Sequence, residues 1–318
     1  MDFDKNVPFM GPMLTDGGLE TELIFHHNID LPHFAAFVTL NNIQHTNVVL
    51  NYYRRYLELA RQYGTGFILE SPTWRANYDW AYKLGYSTKE LEAINIKSIA
   101  VLNTLKDAYK NKVNEILISG CVGPRFDGYS IIEVMSAKEA KQYHIQQIEA
   151  FKKAGVDHVT GITVNYLAEG MGIVKAAKEK GLPVVISWTT EMDGRLPSGE
   201  SLQEVIDTID KETDYYPSYY MVNCAHPSHF VDQLKPKSNW RERIMGIRAN
   251  ASCKSHEELD NSNVLESGDK IELSNWYATL KEILPNLNVF GGCCGTDSSH
   301  IEAICSKLFK EIRHEKSF

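Results

Sequence analysis

Short apolar segments alternate with longer amphipathic segments along most of the 318-residue chain. Several short segments are almost continuously apolar, which is typical of parallel strands buried on both faces. Eight segments have this character: Met13–Asp16, Gly66–Glu70, Glu115–Gly120, His158–Thr163, Pro183–Trp188, Tyr219–Asn223, Ile244–Ala249 and Asn288–Gly291. Eight repeats of strand and helix predict an α/β fold, a (β/α)8 TIM barrel that forms a single domain over residues 1–318.

The intervening segments carry signals for the beginnings and ends of helices. Three serine–glutamate pairs have the spacing of a capping box: Ser87 with Glu90, Ser136 with Glu139, and Ser299 with Glu302. Three glycines follow helical runs, where a left-handed C-cap is expected: Gly64, Gly155 and Gly181. The main alternative is a doubly wound open sheet. The chain lacks the G-x-G-x-x-G and G-x-x-x-x-G-K-[ST] motifs, which weakens the nucleotide-binding versions of that alternative.

Charge and hydropathy limit the partners and the cellular location that we expect for the protein. The formal net charge is -8 and no basic stripe is present, so we expect neither nucleic acid nor an anionic membrane as a partner. No stretch approaches the roughly 20 apolar residues needed to span a bilayer. The first residues lack the basic start and apolar core of a secretion signal. We therefore expect a cytoplasmic protein whose thiols stay reduced.

Four of the six cysteines, including Cys121, follow predicted strands, and three of the four are candidates for one shared site. Cys224 comes after the apolar run that ends at Asn223, and Cys293 and Cys294 lie between glycines after Phe290. In a barrel these positions share the C-terminal mouth, where active sites are built. Three thiolates with one open position suit a catalytic zinc ion, and we predict one zinc per chain. The alternative is a small buried thiol, which we prefer for the other three cysteines: Cys121, Cys253 and Cys305.

These motifs resemble the homocysteine S-methyltransferase family from about residue 12 to residue 305. The matching segments are Thr15–Leu23, Gly120–Pro124, Ile186–Trp188, Asn223–Cys224, Asn250–Ala251 and Gly291–Gly295. The resemblance implies methyl transfer to the sulfur of homocysteine, as in methionine biosynthesis, with zinc on Cys224, Cys293 and Cys294. It also implies five residues in the acceptor pocket: Asp16, Gly17, Thr163, Asn223 and Asn250. Zinc would deprotonate the acceptor thiol, whose pKa is otherwise about 8.5.

The methyl donor is expected to be a small onium compound of the S-methylmethionine, S-adenosylmethionine or betaine type. No appended region is long enough for a cobalamin or folate module. An onium cation binds well against aromatic faces. Four aromatic residues are candidates for that role: Trp74, Tyr78, Trp80 and Trp188.

The chain departs from the family at the end of the fourth strand. The family usually has a glutamate there that binds the substrate's ammonium group, and this chain has Ile162. An ammonium ion buried without a partner is destabilised by several kcal/mol. Either another acid replaces the glutamate, with Glu70 and Glu191 as candidates, or the acceptor is not homocysteine. Arg75, and Arg248 at a position that is usually aromatic, are candidates for binding a carboxylate, and the alternative is that both are ordinary surface arginines.

Two other functions remain open at this point. The first is a zinc-dependent lyase or hydrolase of a small sulfur compound, with water in the open metal position. The second is a non-catalytic barrel that binds zinc or a thiol, which the Ile162 change motivates. His226, close to Cys224, is a candidate for reaching the site. The expected partners are the small thiol acceptor and the small methyl donor, and a homo-oligomer is left open.

Overall fold

Eight parallel strands close into one barrel in chain order, with the last strand paired to the first. The structure, a computed structural model, describes residues 8–235, 238–262 and 264–311. The strands are β1 (Met13–Leu14), β2 (Gly66–Glu70), β3 (Ile116–Val122), β4 (His158–Val164), β5 (Val184–Trp188), β6 (Tyr219–Asn223), β7 (Ile244–Ala249) and β8 (Val289–Gly292). The predicted fold class is confirmed. Residues 1–7, 236–237, 263 and 312–318 of the predicted domain lie outside the described residues.

The helices surround the strands and cover the outer face of the barrel. They are α1 (Leu19–Phe25), α2 (Ile43–Tyr63), α3 (Tyr78–Lys83), α4 (Thr88–Tyr109), α5 (Ala137–Ala154), α6 (Leu167–Lys180), α7 (Leu202–Thr213), α8 (Pro227–Leu234), α9 (His256–Asp260), α10 (Lys270–Ile283) and α11 (Ser298–Leu308). Three short 3₁₀ segments cover Pro32–Phe34, Ala36–Asn41 and Asn239–Arg243. The largest apolar cluster fills the space between these helices and the strands. None of the helices in the described ranges is both long and apolar enough to cross a bilayer.

Most of the predicted helix signals act as expected. The Ser87–Glu90 and Ser136–Glu139 pairs form complete capping boxes at the starts of α4 and α5. The three predicted C-cap glycines adopt left-handed backbone conformations: Gly64, Gly155 and Gly181.

The predicted capping box of Ser299 and Glu302 is wrong. The N-cap of α11 is Asp297, whose carboxylate accepts hydrogen bonds from the backbone N–H groups of Ser299 and His300 at 2.9 and 3.2 Å. Ser299 therefore lies inside the first turn of the helix. An aspartate is at least as good an N-cap as a serine, so the earlier residue begins the helix.

The interior of the barrel changes from apolar to polar along its axis. At the N-terminal end, an apolar cluster fills the interior: Phe9, Met13, Ile68, Leu117, Val185, Tyr219, Met221 and Val289. Nearer the C-terminal mouth, inward-facing residues are polar or charged: Glu70, Ser119, Thr160, Ser187, Asn223 and Arg248. Burying so many polar groups requires specific partners, and those partners define the site.

Candidate active site

The three predicted cysteine ligands meet at the C-terminal mouth of the barrel. Cys224 follows β6, and Cys293 and Cys294 follow β8. Their three sulfur atoms all lie within 4.8 Å of one another. A tetrahedral zinc with Zn–S bonds of about 2.3 Å sets its sulfur ligands roughly 3.8 Å apart. The donor type and the convergence of the cluster therefore fit a thiophilic metal held by three protein ligands, provided that the Cys224 and Cys293 sulfurs are not bonded to each other.

The sulfur atoms of Cys224 and Cys293 lie in direct contact, close enough to be joined as a disulfide. The Cα atoms of the two residues are 5.4 Å apart. A disulfide and a shared metal are alternative states of the same pair, because a metal ligand must be a thiolate. A metal could therefore be held by all three cysteines only when the cluster is reduced.

Two side chains contact the backbone carbonyl oxygen of Cys224. The Asn250 amide nitrogen donates to the Cys224 carbonyl oxygen at 3.0 Å, and a His256 ring nitrogen lies 2.6 Å from that oxygen. Cys224 has a left-handed backbone conformation, with φ 53°. The hydroxyl of Tyr129 donates to the Cys224 sulfur at 3.4 Å. These contacts fix where the first sulfur points and cover it on one side.

The loop that carries Cys293 and Cys294 packs tightly against the loop that follows β1. A Cβ atom at Gly292 would collide with the side chain of Thr296, and one at Gly18 would lie 2.7 Å from the Cys293 carbonyl oxygen. Glycine is therefore required at both positions by close approach. Gly18 thus lets the Asp16–Gly18 turn approach the β8 exit, and Gly292 lets the cysteine loop fold back onto Thr296.

Thr163 and Asn223 are joined by reciprocal hydrogen bonds. The Thr163 backbone N–H donates to the Asn223 side-chain oxygen at 3.0 Å, and the Asn223 amide donates to the Thr163 hydroxyl at 2.8 Å. Ser187 adds a bond to the same Asn223 oxygen at 2.6 Å. Thr163 has φ 61°, which costs a β-branched residue about 1–3 kcal/mol. The network maintains this strained conformation, which places Thr163 in the wall of the cleft.

An open cleft lies beside the sulfur cluster, and some of the predicted acceptor-binding residues line it. Asp16, Gly17 and Thr163 are in its wall. Asn223 and Asn250 are fully or almost fully buried and lie behind the wall, where they support Thr163 and Cys224. The five predicted residues therefore divide into three that face the cleft and two that hold it in shape.

Asp16 is committed to an ion pair with Arg248. Arg248 donates to one Asp16 carboxylate oxygen at 2.8 Å, and the hydroxyl of Tyr52 donates to the other at 3.0 Å. Burial raises the pKa of Asp16, and the attraction of Arg248 and the bond from Tyr52 oppose that rise. Arg248 also donates to the backbone oxygens of Gly292 and Gly17, at 3.1 and 3.4 Å. This ion pair ties together the exits of β1, β7 and β8.

The other predicted arginine, Arg75, is buried away from the cleft. Its guanidinium stacks between the rings of Trp74 and Trp80, at 4.0 and 4.1 Å, and donates to the carbonyl oxygen of Phe126 at 2.6 Å. Arg75 organises the loop after β2, and Arg248 is the arginine in the cleft wall.

Two further acids line the cleft. Burial raises the pKa of both Glu70 and Glu20 to about 7. Glu70 ends β2 and is 7% exposed, whereas Glu20 is the second residue of α1 and is partly exposed. Glu191, the other acid considered from the sequence, lies 3.4 Å from the His256 ring and outside the cleft wall. Ile162 faces the cleft, as expected from its position at the end of β4.

The aromatic surface of the cleft differs from the one expected. Trp74 lines the cleft together with three aromatic residues that the sequence did not suggest: Phe34, Tyr53 and Tyr129. Trp188 is fully buried on the outer side of β5 and packs against the backbone of Gly170 in α6. Tyr78 and Trp80 lie in α3, outside the cleft wall.

The predicted histidine, His226, is the N-cap of α8. Its ring nitrogen accepts a hydrogen bond from the backbone N–H of Ser228 at 3.3 Å.

The family model described as homocysteine S-methyltransferase matches residues 13–308. The chain is 22% identical to homocysteine S-methyltransferase 1 of Arabidopsis thaliana over 322 residues, which covers 94% of each protein. It is 23% identical to homocysteine S-methyltransferase 2 of the same plant, over 94% of this chain and 93% of the relative.

Solved structures of the homocysteine methyltransferase MmuM from Escherichia coli have the same fold. The metallated form aligns with a TM-score of 0.72 at 18% identity, over 96% of this chain and 97% of that one. The oxidized form aligns with a TM-score of 0.71 at 18% identity, over 96% and 98%. At this identity the likeness establishes the barrel and its strand order.

Proposed function

Because the family match spans most of its length, the chain belongs to the homocysteine S-methyltransferase family, and from this premise we propose that it is a zinc-dependent methyltransferase. In this proposal the acceptor is homocysteine and the product is methionine. The donor is a small onium compound such as S-methylmethionine, S-adenosylmethionine or a betaine. The observation that carries the proposal is the convergence of three thiols from two strand ends beside an open cleft.

Cys224, Cys293 and Cys294 hold one zinc ion per chain in this proposal. Three soft sulfur donors suit zinc, and fewer than four protein ligands are typical of a catalytic rather than a structural zinc site. A bound zinc lowers the pKa of a thiol ligand, so that the acceptor reacts as a thiolate at neutral pH. The need for reduced thiols favours a reducing compartment such as the cytoplasm.

The chain's own residues orient the reactants. Asn223 and Asn250 fix the strand ends that carry Thr163 and Cys224. Trp74 and Tyr129 provide aromatic faces in the cleft for the positive charge of the donor. During transfer the acceptor thiol releases its proton, a new S–CH₃ bond forms, and the donor atom keeps the electron pair of the broken bond. Placing the two reactants in line accelerates such a step without further chemistry from the protein.

The test uses reduced, zinc-loaded protein with homocysteine and one candidate donor at a time. We expect methionine to form with at least one donor, and a chelator to abolish its formation until zinc is returned. Elemental analysis should give one zinc per chain. Cys224→Ser should lose both zinc and activity. Cys253→Ser, which changes an exposed cysteine outside the cluster, should keep both.

The outcomes separate the alternatives. Zinc-loaded protein that forms methionine with none of the donors would contradict the proposed activity. Turnover of a sulfur compound without any donor would favour the lyase or hydrolase. Binding of thiols without any turnover would favour a non-catalytic barrel.

A further inference from the structure

Glu70 has a buried carboxylate oxygen with no hydrogen-bond partner among the described residues. The side chain is 7% exposed and lies in the cleft wall. A polar atom buried without a partner is destabilising, and in native proteins such atoms usually meet a ligand or an ordered water. The free oxygen of Glu70 therefore points to a hydrogen-bond donor or a cation on the molecule that occupies the cleft.

The other oxygen of Glu70 is held by a short ladder of hydroxyl groups. Thr160 on β4 donates to it at 3.2 Å, and the hydroxyl of Ser119 on β3 lies 2.7 Å from that of Thr160. The backbone oxygen of Glu70 accepts a bond from the Tyr53 hydroxyl at 2.6 Å. Glu70 is thus positioned by α2, β3 and β4, with one oxygen left for a ligand. A group supported in this way is suited to recognise a ligand with a defined geometry.

The other acidic side chains of the cleft are less suited than Glu70 to bind a cationic group of the ligand. Both oxygens of Asp16 are already bonded, to Arg248 and Tyr52. Glu20 is partly exposed at the start of α1, and neither of its carboxylate oxygens is a fully buried atom left without a partner, unlike that of Glu70. Ile162 on β4 has no polar atom to offer. A cation in the cleft would therefore find its best buried partner in Glu70.

We propose that the free carboxylate oxygen of Glu70 binds the ammonium group of the acceptor and selects it over thiols that lack an amine. This inference rests on the proposed function and names a residue that determines the specificity for its acceptor. Burial raises the pKa of Glu70 to about 7, and an ammonium partner compensates for that burial by stabilising the carboxylate. The acid on β2 takes the place of one on β4, which explains how the cleft accepts an amine beside Ile162.

The test compares two thioethers that differ in the amine alone, methionine and 4-(methylthio)butanoate. Their binding to the zinc-loaded chain is measured by calorimetry. For Glu70→Gln we expect the Kd of methionine to rise about thirtyfold or more, since removing one partner of a buried charge pair has effects of this size. The Kd of 4-(methylthio)butanoate should change less than twofold. The matched control is Glu282→Gln, on the exposed surface of α10, which should leave both values unchanged.

A second variant keeps the Glu70 carboxylate and removes the hydroxyl group that holds it in place. Thr160→Val should weaken methionine binding several-fold and leave the desamino compound unaffected, because the carboxylate loses its anchor. Equal losses for both compounds, or no loss for either, would overturn the proposal. A methionine-selective loss in Glu20→Gln with none in Glu70→Gln would also overturn it.

Methylation assays distinguish failure of this inference from failure of the proposed function. The assay compares homocysteine with 4-mercaptobutanoate, which lacks the amine. If the wild-type protein methylates homocysteine and Glu70→Gln has the same KM for it, the proposed function stands and the role of Glu70 is wrong. If the wild-type protein binds methionine through Glu70 but methylates neither thiol, the role of Glu70 stands and the proposed function is wrong.

Discussion

At the scale of single residues, the buried acid Glu70 links ligand binding to stability. Its pKa rises from 4.5 to about 7, first because burial penalises the charged form. Arg248 opposes the rise, and Asp16 adds to it. The folded chain therefore binds a proton at Glu70 more tightly than the unfolded chain does. It follows that this residue makes folding progressively less favourable as pH increases from about 4.5 to about 7.

Glu70→Gln should stabilise the ligand-free protein at pH 8. One pKa unit corresponds to about 1.4 kcal/mol, so we expect the free energy of unfolding to rise by about 1–3 kcal/mol. The gain should shrink towards zero near pH 4.5, where the native carboxyl group is protonated. Urea denaturation at several pH values measures both quantities, with Glu282→Gln as the matched control. A gain that is the same at pH 5 and pH 8 would contradict this prediction.

The meeting of the three cysteines could be predicted at this scale, whereas the aromatic lining could not. Cys224, Cys293 and Cys294 follow apolar runs, and parallel strands end on one rim. Trp188 was misplaced because neighbouring residues in a strand face opposite sides. Ser187 faces the interior and Trp188 faces the helices.

At the scale of secondary-structure elements, the strands were predictable to within two residues at each end. Their apolar runs are bounded by polar turns, which mark the limits well. Loop residues were harder to place. Tyr129 lies in the irregular segment between β3 and α5 and contacts the Cys224 sulfur. Such a segment has no periodicity, and its path depends on tertiary contacts that one sequence does not reveal.

Asp297 should be the residue that stabilises the start of α11. Asp297→Ala removes the acceptor of two backbone N–H groups, and we expect a loss of about 1 kcal/mol in the free energy of unfolding. Asp297→Asn keeps an equally good capping oxygen and should lose only a few tenths. Chemical denaturation at neutral pH compares the two variants. Equal losses would show that charge, and not the cap, is what matters at this position.

At the scale of the whole molecule, the cysteine cluster connects two parts of the ring. β7 lies between β6 and β8, the strands that Cys224 and Cys293 directly follow. A metal shared by these residues would bridge the exits of β6 and β8. Binding to the folded state alone raises apparent stability in proportion to the logarithm of the ligand concentration over Kd.

Adding zinc to reduced, metal-free protein should raise its Tm by several degrees. We expect the same rise for Cys253→Ser and none for Cys224→Ser, since only the second change removes a proposed ligand. Differential scanning fluorimetry with and without a chelator measures the shift. A comparable rise in Cys224→Ser would mean that zinc stabilises the chain elsewhere.

The pairing of β8 with β1 has a consequence for synthesis of the protein on the ribosome. The strand that leads to Cys293 and Cys294 is the last to be made, and it completes the ring beside the first. Until β8 and the loop after it leave the ribosome, a nascent chain contains Cys224 but cannot bring Cys293 and Cys294 next to it. A metal held by all three cysteines would therefore be loaded only after the barrel has been translated, and a retained metal would mark chains that have finished folding.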